Sequence, residues 1–211
     1  MARASFFIDG FNLYHAIDKL NQPSLKWLNH RTLAASYLRP GDTLESVKFY
    51  TAVLTWEREK QKRHKTYLAA LTAVGCTPVE SRFARVSKHC RVMNRSCPRH
   101  EEKQTDVSIA TDIIADAIED HFDTAYLVTA DSDQVPTVKT FRRLFPNKRI
   151  VQISPPGCDD GARELGAAAN QRLTMSEGRL RANLLPSRIQ ISPKSFITIP
   201  SSYRVAAPRI V

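Results

Sequence analysis

The chain has 211 residues, 42% of them hydrophobic, with a formal net charge of +10 and a pI near 9.7. That length supports one ordinary domain with a real core and is short for a second full one. No apolar stretch reaches the ~20 residues a membrane helix needs, and the N-terminus lacks the basic, apolar and small-residue order of a secretory signal, so the expectation is a cytoplasmic protein with no membrane partner.

In chain order the patterning predicts strand 4–8, helix 11–20, helix 30–38, strand 45–54, helix 57–74 and strand 77–83, followed by a basic Cys/His loop over 84–104. Helix 105–121, strand 124–129, helix 134–145, strand 149–154 and helix 161–170 complete the series. Strands alternating with helices predict an α/β fold with a doubly wound, mostly parallel central sheet. Beyond residue 185, Pro186, Pro193, Pro200 and Pro208 punctuate a basic stretch, which predicts a folded domain over 1–185 and an extended tail over 186–211. The tail has two readings. It holds nucleic acid, or it packs along its own or a neighbouring chain through Ile189, Ile191, Phe196, Ile197 and Ile199, the latter giving a homo-oligomer.

Acidic residues recur where strands end. Asp9 follows the apolar run Ala4-Ser5-Phe6-Phe7-Ile8, and Asp131 and Asp133 follow Ala125-Tyr126-Leu127-Val128-Thr129. In doubly wound sheets the ligand crevice lies outside the carboxyl ends of the strands, so these side chains meet there. Asp106 joins from a helix. With Thr105 as N-cap, about 100° per residue places Val107, Ile109, Ala110, Ile113, Ile114 and Ala117 on one apolar face with Asp106 in its middle, at the N-terminal end. A carboxylate there needs a partner: a metal shared with Asp9 and Asp131, or helix N-terminal donors.

Mg²⁺ takes oxygen ligands octahedrally and keeps several waters, so three or four carboxylates around an open cleft hold one ion, or two once a phosphate joins. Asp9, Asp106 and Asp131 are the expected ligands, directly or through water, with Asp133 a ligand or a water-orienting base. Asn12, Thr129 and Ser132 are expected to hydrogen-bond phosphate or to fix carboxylate rotamers. Asp112 projects about 120° away from Asp106 on the same helix, which suits a structural hydrogen bond.

Charge is segregated around this set. Residues 81–100 carry +6 with no acidic residue, and residues 104–134 carry −8 with no basic one. A basic rim beside an acidic pocket suits an enzyme that grips phosphates and cuts with a metal, and Arg91, Arg95, Arg99 and Lys103 are the candidate phosphate contacts. The plainer alternative is a solvated loop beside an acidic helix face. The same loop holds Cys90, Cys97 and His100, a candidate structural Zn²⁺ set whose fourth ligand would come from His89, His64 or another side chain. Reduced thiols in a flexible loop are the alternative, and Cys76 and Cys158 are expected simply to pack.

Phe7-Ile8-Asp9-Gly10-Phe11-Asn12-Leu13-Tyr14, Glu101-Glu102-Lys103-Gln104-Thr105-Asp106-Val107 with Asp112 following, and Leu127-Val128-Thr129-Ala130-Asp131-Ser132-Asp133 together resemble the NYN family of PIN-like nuclease domains, in its LabA-like branch. The resemblance spans residues 3 to 170. It implies a Rossmann-like, PIN-like three-layer fold, Mg²⁺ or Mn²⁺, and cleavage of RNA phosphodiester bonds. Carried over by position, Asp9, Asp106, Asp131 and Asp133 match the family's acidic metal site, and Asn12 matches its polar residue after the first strand. Some relatives carry a Cys pair in the insertion that holds Cys90 and Cys97. Two positions depart from the pattern: Gln134 stands where Phe is usual, and Pro146-Asn147 lacks the usual Gly before the last strand.

The expectation is therefore a metal-dependent ribonuclease, an endonuclease acting on single-stranded or structured RNA. The rival reading is a nucleic-acid-binding regulator or scaffold that keeps the acidic pocket but cuts poorly. A phosphohydrolase with an aspartyl nucleophile is a third reading, and it lacks its Asp-x-Asp because Phe11 occupies the second position.

Overall fold

The computed structural model describes residues 1–90 and 95–204, apart from the side chains of residues 88–100. Strands β1 (Arg3–Asp9), β2 (Thr43–Ala52), β3 (Thr77–Cys90), β4 (Arg95–Lys103), β5 (Thr124–Val128), β6 (Arg149–Ser154) and β7 (Gln171–Thr174) form one seven-stranded sheet in the order β4-β3-β2-β1-β5-β6-β7. Every neighbouring pair is parallel except β3 with β4. Strand order reverses about β1, which lies between β2 and β5, and a crevice opens at such a reversal beyond the strand C-termini.

The apolar runs are continuous because both sheet faces are covered. From β1, Ala4, Phe6 and Ile8 enter one core with Leu13 of α1 (Gly10–Asp18), Leu33 of α2 (His30–Ala35) and Leu68 and Leu71 of α3 (Arg58–Ala73). Phe7 enters the opposite core with Ile109 and Ile113 of α4 (Thr105–Ile118), Phe141 of α5 (Val135–Leu144) and Leu165 of α6 (Arg163–Ala168). Burying each such side chain is worth about 1.5–3 kcal/mol. The two-residue period then puts Asp9 and Thr129 on the α4 side of the sheet, because they continue the alternation of Phe7 and Leu127.

Helix α4 is turned from its projected orientation. Its buried residues are Thr105, Ile109, Ile113, Asp116 and Ala117, while Val107 is 69% exposed. Thr105 is the first helical residue rather than the N-cap, a place taken by Gln104 at φ +79°. The Thr105 hydroxyl instead donates to Glu102 Oε1 at 2.5 Å.

Two expected segments differ. Much of 84–104, expected as a loop, is a hairpin in which β3 and β4 pair from Arg82 with Lys103 to Cys90 with Arg95. An antiparallel pair satisfies its own backbone without burying a face, so a polar, basic sequence extends as strand with no apolar period to announce it. The expected extended tail also folds back. The hairpin of β8 (Arg188–Ser192) with β9 (Ser195–Thr198) lies against the α1–α3 core of its own chain, with Ile189 and Ile197 paired in register and both buried in it, and helix α7 (Glu177–Arg181), which precedes the tail, lies there as well. Leu180 and Leu185 are buried there too, and Trp27 Nε1 donates to the Pro186 carbonyl at 2.9 Å. Of the other tail residues, Ile199 packs against the core, while Ile191 and Phe196 are exposed.

Candidate functional site

Asp9 ends β1 and caps α1. Its Oδ1 accepts from the Asn12 backbone N–H at 2.9 Å and its Oδ2 from the Thr129 hydroxyl at 2.9 Å, leaving the residue only 4% exposed. Each oxygen retains one lone pair for a ligand. The next residue has to be glycine, since a Cβ at Gly10 would stand 2.5 Å from the Tyr50 carbonyl oxygen. The Asn12 side chain accepts from the Ala130 N–H at 3.0 Å, tying the start of α1 to the segment after β5.

That segment is a chain of polar contacts. Gln152 Nε2 donates to the Thr129 carbonyl at 2.7 Å, the Thr129 hydroxyl oxygen accepts from the Asp131 N–H at 3.2 Å, and Asp131 Oδ1 accepts from the Asp133 N–H at 2.9 Å. Asp131 thereby caps the short 3-10 turn Ser132–Gln134. Asn12 and Thr129 accordingly orient carboxylates and loop, while Ser132 and Asp133 are exposed at the mouth. Gln134, where the resemblance expects Phe, is buried, and its Nε2 donates to the Asp106 carbonyl at 3.1 Å, anchoring the first turn of α4 to this loop.

The electrostatics show which carboxyls share the crevice. Burial pushes Asp9 up to about 6, with Asp106 and Asp131 adding to the rise while the Asn12 and Thr129 hydrogen bonds oppose it. Asp106, an exposed residue in the first turn of α4, is raised by desolvation of its carboxyl and then by Asp131 and Asp133. Glu102 is raised by burial and then by Asp9 and Asp106. Glu102 is thus a fifth carboxyl of the site that the sequence reading did not single out. The Glu101-Glu102 pair just before α4 was the available signal, but which of the two faces Asp9 depends on the β3–β4 register.

Other predicted residues fall elsewhere. Asp112 accepts from the Tyr50 hydroxyl at 2.8 Å and lies 3.5 Å from Lys48 Nζ, in a structural network on the side of α4. Lys103 pairs with Glu101 at 3.0 Å. His64 is engaged at 3.2 Å by the Thr51 hydroxyl. Arg91, and the side chains of Arg95, Arg99, Cys90, Cys97 and His100, lie outside the described residues, so the phosphate-gripping loop and the zinc set do too.

Among the described residues, no Lys or Arg pairs with Asp9, Glu102, Asp106, Asp131 or Asp133. Like charges held together without a counterion fit a divalent cation. Also among them, the three groups whose ligand atoms lie within 4.8 Å of one another are Asp116, Glu119 and His121. These sit at the far end of α4, where Lys48 already pairs with Asp116 at 2.8 Å. The crevice carboxyls are more widely set, an arrangement suited to an ion that keeps much of its water, as Mg²⁺ does.

Among solved structures, the fold is similar to that of a protein of unknown function from Vibrio parahaemolyticus, with a TM-score of 0.55 at 15% identity over 87% of this chain and 96% of that one. A search of curated proteins finds no match. Residues 3–173 match the NYN domain, most of the sheet and all the crevice carboxyls included. With its mostly parallel sheet, helices on both faces and acidic crevice, the chain belongs to the NYN domain family of PIN-like nucleases.

Proposed function

We propose that this protein is a metal-dependent ribonuclease of the LabA-like branch, hydrolysing internal RNA phosphodiester bonds in the crevice between β1 and β5. The observation that carries the reading is Asp9: a carboxyl buried at a strand end, raised to about 6, with Asp106 and Asp131 acting on it and no cation among the described residues to balance it. Asp9, Asp106 and Asp131 would hold Mg²⁺ or Mn²⁺, with Glu102 and Asp133 at the margins. When bound, such an ion polarises the phosphate and lowers the pKa of a coordinated water.

The chain's own groups do the rest. Thr129 and the Asn12 amide fix the Asp9 rotamer, so its two oxygens face the crevice at no further ordering cost. Asp133, exposed beside Asp131, would orient water and take its proton, while Gln134 holds the first turn of α4 against the loop. The test is cleavage of a labelled single-stranded RNA with Mg²⁺ or Mn²⁺, comparing wild type with Asp131→Asn. Metal-dependent cutting that falls at least 100-fold in the variant is the expected result. Equal, metal-independent rates would assign the cutting to a contaminant and leave the protein a nucleic-acid-binding regulator.

A further inference from the structure

A second feature lies on the other side of β1. A cavity of about 280 Å³ opens between α1, α3 and the ends of β2 and β3, walled by Phe11, Tyr14, His30, Phe49, Arg63 and Phe83. That volume is just under the usual range for small-molecule pockets, the size for one ring system rather than an extended ligand. Its mouth is aromatic. Phe11 and Tyr14 are 43% and 44% exposed, and Phe11 and Trp56 both meet the Phe83 ring edge to face, with centroids 6.4 and 5.1 Å away.

Two polar residues, His30 and Arg63, belong to the wall. The Tyr67 hydroxyl donates to the Leu28 carbonyl at 2.8 Å, so the 2.9 Å contact between that hydroxyl and His30 Nε2 requires the ring to donate. Burial keeps this imidazole neutral, its pKa pushed down to about 3, so Nδ1 carries a lone pair. That Nδ1 is buried without a hydrogen-bond partner in a residue only 2% exposed. Arg63 Nε is likewise buried and unpartnered; its side chain hydrogen-bonds Tyr203, and its guanidinium forms no ion pair among the described residues, whereas Lys60 is paired with Glu57. The Arg63 guanidinium is thus a charge at this wall without an acidic partner, and a phosphate would meet it.

The cavity adjoins the acidic crevice through two elements. Phe11 follows Asp9 by two residues on α1, and Phe83 stands directly opposite Glu102 in the β3–β4 register, where opposed residues share a face. We infer that the cavity is a base-binding subsite: one unpaired nucleobase of the RNA stacks at Phe11 and Phe83, with an adjoining phosphate at Arg63, while the scissile phosphate lies over Asp9. This rests on the ribonuclease reading and sharpens it, since a base locked in a duplex cannot enter. The substrate class is therefore single-stranded RNA.

The test uses the full chain in EDTA, where nothing is cut. Binding of a labelled ten-nucleotide single-stranded RNA is followed by anisotropy, and 2-aminopurine is moved through the same RNA to find a quenched position. Phe11→Ala is expected to weaken binding about tenfold and to abolish the quenching, with Phe11→Leu, which keeps apolar bulk without a ring face, behaving alike. An abasic nucleotide at the quenched position should cost the wild type the same factor and the Phe11→Ala variant nothing. Asp131→Asn should keep the same quenched position while losing cleavage when Mg²⁺ is restored, so the subsite and the cutting site can fail separately. Binding indifferent to Phe11→Ala with no position quenched would overturn the proposal. Saturation of the cavity by adenosine or cytidine monophosphate, with RNA binding unaffected, would overturn it in favour of a free nucleotide.

Discussion

Asp9 pits stability against function on a single side chain. Its folded pKa of about 6 lies above its ordinary 3.8, so the folded state holds the proton more tightly than the unfolded chain does. Stability from this group is full below pH about 4, is lost as pH rises through about 6, and stays lost above; the shift corresponds to about 3 kcal/mol. In EDTA, Asp9→Asn should therefore melt higher than wild type at pH 7, with the gap closing near pH 4 and activity abolished. Melting curves of both proteins from pH 4 to 8 check the sign, and a variant that melts lower at pH 7 would make the carboxylate structural. Glu102→Gln should lower kcat/KM at least tenfold without loss of stability, because it removes a charge from the same cluster. Unchanged kinetics would take Glu102 out of the site. Asp9, Asp131 and Asp133 stood out in the sequence because they lie at or soon after the end of an apolar strand, whereas Glu102 reaches the cluster only through pairing with Phe83 across a hairpin.

At the scale of elements, the β3–β4 hairpin is an arm of the sheet rather than part of its foundation. Among the described residues, neither core takes one from 84–87 or 101–103, and the arm is held by its own backbone ladder. Replacing residues 86–99 by Asn-Gly should leave the urea midpoint within experimental error of wild type. RNA affinity should fall and its salt dependence flatten, since Lys88, Arg91, Arg95 and Arg99 leave with the arm. An unchanged salt slope would place the phosphate track on α3, whose Arg58, Lys60, Lys62, Arg63 and Lys65 make a second basic surface.

The whole molecule closes with its C-terminal segment. Leu180, Leu185, Ile189 and Ile197 bury themselves against the α1–α3 core, and backbone bonds from Leu185 N–H to Trp27 O at 2.9 Å and from Asn29 N–H to Asn183 O at 2.8 Å stitch the return. At about 1.5–3 kcal/mol per buried side chain, their loss rivals the total stability of an ordinary domain. Truncation after Thr174 should abolish cooperative unfolding, as seen by calorimetry. A truncated chain that melts like the full one would show that this segment adds nothing to the stability of the fold.

By itself the sequence determined the alternation of strands and helices, the doubly wound sheet and the carboxylates at its strand ends, because buried parallel strands and the residues that follow them are written in local apolar runs. The tertiary structure alone decided the turn of α4, the hairpin between residues 77 and 103, the return of the C-terminal segment onto the core and the place of Glu102. Each of these depends on which distant surface a short or polar segment meets, and that pairing energy is absent from any local window of residues.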